Sequence, residues 1–248
     1  MLFTKFWPPS LSIHGVITPM FRFAIVLAMA ILVSFVSWGV LNQTYAHRSF
    51  ASKEAQETLV VSETQSTELQ ASRLKSDIIA YCLFAALLGS VCGAVCVPRS
   101  GTPSIIVAAL IGLLIGLAGG AAGAWLGHIH DAKMVFSGDP MVYWITRWFA
   151  ILLPIGIAAG LAAAVRSQAK IVEAILAGAI GATVATILIC LVTGSLTPIE
   201  LHTEIFPAYG SNRLVSLSLA AVCIAGTIAF QLSRQAKKGA SPLPAEST

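Results

Sequence analysis

The chain has 248 residues, of which 56% are hydrophobic and 10% charged, with a formal net charge of +4 and a mean hydropathy of +0.83. Soluble domains mix roughly 45–50% apolar with about 25% charged residues, so this composition excludes a soluble globular domain and places the chain in a lipid bilayer. The small positive balance carries no basic stripe with interleaved aromatics, and nucleic acid is not an expected partner.

A helix needs about 20 apolar residues to cross a hydrocarbon core of about 30 Å. Six runs qualify, over residues 23–41, 78–97, 103–127, 142–165, 171–194 and 214–232. They are long and continuous, whereas barrel strands are ~10-residue alternating segments. The expected fold is therefore all-α, a polytopic bundle of six transmembrane helices. It divides into an N-terminus with the first helix (1–41), an outer and partly helical loop (42–77), a five-helix core (78–233) and a disordered cytoplasmic tail (234–248).

The first run is preceded by Lys5 and Arg22 and followed by Thr44-Tyr45-Ala46, a loose imitation of a secretory signal and its cleavage site. Its apolar stretch exceeds the usual signal core of about 7–15 residues, which favours a retained helix. The loop after it, SKEAQETLVVSETQSTELQASRLKSD, mixes good helix formers with scattered Leu and Val, so its latter part is expected to continue into the second helix.

Charge sets the orientation. With both termini inside, the short inner segments hold Lys5, Arg22, Arg99, Arg166, Lys170, Arg234, Lys237 and Lys238. The longer outer segments hold Arg48, Lys53, Arg73, Lys75, Lys133, Arg147 and Arg213. Basic residues are denser inside, as topology in a cytoplasmic or inner membrane requires. The cysteines Cys82, Cys92, Cys96, Cys190 and Cys223 all fall within spans, where a thiol acts as a small hydrophobe and disulfides are not expected.

Small residues are the strongest pattern. Gly112, Gly116 and Gly120 form one GxxxGxxxG row in the third span, and Gly119, Gly123 and Gly127 form another. Such rows resemble glycine zippers: in lipid, helices associate by close backbone approach and dispersion, and small residues spaced by four permit both. Gly89 and Gly93 in the second span and Gly156 and Gly160 in the fourth extend the pattern. They also begin a weak repeat. Gly89-x3-Gly93-x5-Arg99-Ser100 is matched by Gly156-x3-Gly160-x5-Arg166-Ser167, which makes 78–127 and 142–194 candidate copies of one hairpin. The third span, with two stripped rows, is expected at the centre of the bundle.

Candidate chemistry gathers at the outer end. The third span closes in Gly127-His128-Ile129-His130-Asp131. In a continuing helix His128 and Asp131 share a face, whereas in an extended chain the two histidines do. Neither arrangement supplies the three or four ligands a zinc ion needs, and the remaining donors, Asp139, Glu200, His202 and Glu204, have no motif spacing. The expected role of the turn is a solvated polar cap, and no metal or cofactor is implied. Arg147 sits a few residues into the fourth span among Tyr143, Trp144 and Trp148. The preferred reading is an interfacial aromatic belt with a snorkelling arginine, and the alternative is a pair with Asp131 or Asp139. Glu173 should benefit from the start of the fifth helix and reach Lys170 or Arg166. Pro154 is expected to kink the fourth span near mid-membrane.

No GxSxG, HExxH, phosphate loop or pair of intramembrane aspartates is present, and no catalytic residue is assigned. The sequence points first to a structural or accessory multi-pass protein whose partners are lipid and either another copy or another membrane protein. The alternatives are a small-solute transporter gated near Pro154, and an outward-facing metal or catalytic site at His128, His130 and Asp131.

Overall fold

The computed structural model describes residues 17–57, 63–95, 102–134, 140–167, 170–196 and 210–239. They form six helices: α1 (Ile17–Glu57), α2 (Glu63–Val95), α3 (Thr102–Met134), α4 (Pro140–Ser167), α5 (Ile171–Leu196) and α6 (Gly210–Gly239). Each holds an apolar stretch long enough to cross a membrane, from Phe23–Gln43 in α1 to Arg213–Gln235 in α6. The fold is an all-α, multi-pass bundle. We call the end that carries the α1–α2 and α3–α4 connections outer, after the orientation that the charges predict.

Both helices flanking the first outer connection overrun the apolar stretch. α1 has 41 residues, about 60 Å of helix at 1.5 Å per residue, twice the thickness of a hydrocarbon core. The loop expected after the first span is thus mostly helix, supplied from both sides.

The packing has an inner and an outer layer. α2, α4 and α6 touch one another, while α1 packs on α6 and α2, α3 on α2 and α4, and α5 on α4 and α6. Three helices therefore stand inside, and three others each fill a groove between two of them. Exposure follows this division in part, since α4 also turns Met141, Val142, Ile145, Phe149, Ile157 and Val165 outward. α2 and α6 each expose one large hydrophobic residue, Ile79 and Phe230, whereas α3 turns Ile106, Leu110 and Leu114 outward at 57%, 57% and 65% exposure. Such a face on a membrane helix is what lipid covers.

This arrangement corrects the expected place of the third span. α3 is peripheral, packed against α2 and α4, whereas α2, α4 and α6 each touch four other helices. The reason lies in helix geometry: at about 100° per residue, both glycine rows fall within roughly one 100° arc of α3. One narrow arc seats against two helices and leaves the rest for lipid. A Cβ on Gly112, Gly116 or Gly120 would overlap the α2 backbone at Gly89, Ala85 and Tyr81 respectively. On Gly119 it would strike the Ala158 methyl and approach the Pro154 carbonyl oxygen of α4 to 3.0 Å, and on Gly123 the Ile151 carbonyl oxygen at 2.5 Å. Gly127, at the outer end of the row, faces only the Ile151 side chain.

The two hairpins use the same pairing. Gly89 meets Gly112 and Gly93 meets Ala108 between α2 and α3; Gly156 meets Gly178 and Gly160 meets Ala174 between α4 and α5. In each hairpin a glycine on one helix faces a glycine carbonyl on the other, in both directions. The interior is otherwise rich in buried alanine, including Ala159, Ala163, Ala182, Ala185, Ala221 and Ala225, which keeps the backbones close. Hydroxyls add bonds between helices: Ser34 Oγ donates to Leu217 O (3.2 Å) and Thr227 Oγ1 to Ala177 O (2.9 Å). Such bonds contribute on the order of 0.6 kcal/mol each in membrane bundles. Cys92 and Cys190 are buried in the apolar interior; Cys96 lies outside the described residues.

Candidate functional site

α3 does not end at Gly127 but stays helical to Met134, so His128, His130 and Asp131 are helical residues. Opposite them α4 begins at Pro140, and Tyr143, Thr146 and Arg147 fall at i, i+3 and i+4 on one face. The short connection brings the two sets together. Arg147 Nη2 donates to Asp131 Oδ2 at 2.9 Å, and the Tyr143 hydroxyl donates to Asp131 Oδ1 at 2.7 Å. His130 Nε2 lies 2.7 Å from Thr146 Oγ1. The Tyr143 ring sits between the two bases, its centroid 5.2 Å from that of His130 and 5.8 Å from the Arg147 guanidinium carbon.

Arg147 is only 2% exposed. It does not snorkel to the surface; its charge is neutralised by Asp131, while Tyr143, read as part of a belt, is a bonding partner. A guanidinium with no carboxylate at this depth would be held at high cost, and the helix supplies the carboxylate one turn beyond its last glycine. Asp131 is likewise no simple solvated cap, since both its oxygens accept bonds from α4. His128 stands apart, its ring 6.3 Å from that of Trp125. The His128–Asp131 face is therefore geometrically real, but the partnership that forms is His130 and Asp131 with α4.

The metal alternative finds no set of ligands: no group of three or more His, Cys, Asp or Glu is placed to hold an ion among the described residues. Asp139, Glu200, His202 and Glu204 lie outside them. The arrangement at Asp131 is a charge-neutral, hydrogen-bonded clamp between α3 and α4.

Two charges that the sequence places in outer segments are buried. Asp77 of α2 and Arg213 of α6 are each 7% exposed, and both lie toward the outer end of their helices. With Arg147 on α4, each of the three inner helices thus buries a charged residue toward the same end. Their position at the ends of apolar runs reads as solvent contact, and only packing by neighbours reveals the burial.

The opposite end carries a different polar group. Glu173 of α5 accepts from Gln231 Nε2 at 3.0 Å and Gln235 Nε2 at 2.7 Å, both on α6, with Lys170 Nζ 3.5 Å away. The lysine partner was expected; the two glutamines, spaced by one turn, were not. Pro154 lies inside α4, which continues through it from Pro140 to Ser167.

No family model, curated protein or solved structure matches this chain. Its fold and its polar sites therefore stand on their own geometry.

Proposed function

We propose that this chain is a structural or accessory protein of a cytoplasmic-type (inner) membrane, with both termini inside. In this reading its small-residue rows act as glycine zippers that fix helices within the chain, and the outer clamp locks α3 to α4. The observation that carries the reading is the close approach of α3 and α4 at Gly119, where even an added Cβ would strike the Ala158 methyl and crowd the Pro154 carbonyl oxygen. A solute path between the third and fourth spans would have to open there, and the two helices meet almost backbone to backbone. The matched pairings of the two hairpins support their origin as copies of one unit.

A second reading, an outward-facing solute pathway, draws on the buried charges of α2, α4 and α6, because ionisable groups inside a membrane bundle commonly mark transport routes. Flux measurements separate the two. Purified protein in vesicles should release glycerol, urea, sodium and chloride no faster than protein-free vesicles do. A protein-dependent, saturable flux of any of them would overturn the structural reading.

A further inference from the structure

The two glycine-paired hairpins account for α2 to α5, and the remaining helices, α6 and α1, stand in the same relation to each other. In α2–α3 and in α4–α5 an inner helix is followed by an outer one, and the two are joined at the inner end. α3 fills the groove between α2 and α4, and α5 the groove between α4 and α6. α1 fills the third groove, between α6 and α2. Successive spans alternate in direction, so α2, α4 and α6 all run from the outer end to the inner one, and α1, α3 and α5 run back. Units that share a direction in this way are related by an axis along the membrane normal, the arrangement of parallel repeats.

Contacts between α6 and α1 give this pair its register. A Cβ on Gly226 would lie 3.6 Å from Leu27 Cδ2, and Ser34 Oγ donates to Leu217 O. Continued inward, that antiparallel register sets Ile17, where α1 begins, level with Ala236, three residues from the end of α6 at Gly239. The inner ends of α6 and α1 are therefore neighbours, as those of a hairpin must be. One face of α1 is buried along its apolar stretch, through Val26, Ala30, Val33, Ser34, Ser37 and Leu41. The pair is looser than the other two, because Gly226 meets a side chain where Gly89 and Gly156 meet backbone.

We infer that α6 and α1 form a third hairpin, whose two helices the chain reaches last and first. The bundle is then a ring of three inner–outer pairs in circularly permuted order, and α1 does for α6 and α2 what α3 does for α2 and α4. The covalent link of α1 to α2 is replaceable by a link to α6. This inference is independent of the proposed structural role.

A permutant of the full sequence tests it. The chain is opened between Glu57 and Glu63 and closed by joining residue 248 to residue 1, so that residues 240–248 and 1–16 connect α6 to α1. Neighbouring helix ends tolerate such a rearrangement. The permutant should keep the helical content of the wild type in lipid and unfold cooperatively at a similar midpoint. Its new ends lie outside, so a second permutant, opened between Met134 and Pro140, serves as the control for insertion: it has the same orientation and closure but keeps α1 joined to α2. Folding of both supports the inference. Folding of the second alone, or of neither, overturns it. The unpermuted chain gives a separate check, with Leu27→Cys and Gly226→Cys combined in a background whose five native cysteines are alanine. Oxidation in the membrane should cross-link α1 to α6 within one chain, and the absence of that cross-link contradicts the third pair.

Discussion

The two ends of the bundle use nearly the same chemistry with different consequences. At the outer end a carboxylate on α3 gathers an arginine and a tyrosine from α4; at the inner end a carboxylate on α5 gathers two glutamines from α6 and the lysine that immediately precedes its own helix. The difference is burial. Arg147 is 3% exposed, whereas Lys170 is 81% and Glu173 36% exposed. Removing one partner of a buried pair strands a charge, while water takes over for an exposed one. The number of partners at each end is therefore no guide to its contribution.

The comparison can be broken most directly at its strong end. Asp131→Ala leaves Arg147 buried with no carboxylate and should destabilise the protein by about 3–5 kcal/mol, read as a large fall in unfolding midpoint in detergent or lipid. Tyr143→Phe keeps the ring and the ion pair and removes one bond to a charged acceptor. Its expected cost is smaller, about 1.5–3 kcal/mol. Gly116→Val drives a side chain into the α2 backbone at Ala85 and should cost about 1–3 kcal/mol through overpacking. Gly39→Ala is the control: nothing lies within 4 Å of its added Cβ, and the better helix former should leave stability unchanged or raise it by up to about 1 kcal/mol. At the weak end, Glu173→Gln should leave the unfolding midpoint unchanged within error, because water replaces what the carboxylate loses. A fall there as large as that of Asp131→Ala would erase the contrast.

Much of this architecture was legible because lipid imposes a simple rule on apolar length. The run read as 142–165 lies within α4 (Pro140–Ser167), and 171–194 lies within α5 (Ile171–Leu196). The glycine rows were also legible as packing surfaces, since few other roles demand glycine at every fourth position. Their partners were not: nothing in Gly112 or Gly119 says that one seats on α2 and the other on α4. The same gap placed α3 at the centre, because two rows suggested two sides until their shared arc was seen.

The polar site was harder to read for a related reason. Arg147 beside Tyr143 and Trp144 has the same sequence pattern whether the aromatics face headgroups or a neighbouring helix. What decides is that α3 stays helical past Gly127 and carries Asp131 to the level of Arg147. Thr146 gave no signal at all, since a lone threonine in a membrane helix usually bonds its own preceding turn. It does so here, and its oxygen also lies 2.7 Å from His130 Nε2.

The account rests on the claim that Asp131 and Arg147 stabilise each other as a buried pair, and a double-mutant cycle measures this directly. Asp131→Leu and Arg147→Met are made singly and together, and unfolding is followed in one lipid or detergent system. Asp131→Leu, which strands the buried Arg147, should lose about 3–5 kcal/mol. Arg147→Met should lose less, because Asp131 is 23% exposed. The double variant should recover most of the Asp131→Leu loss, because two apolar side chains leave no stranded charge. Single losses that simply add in the double variant would show that the two residues act independently, and would contradict the account.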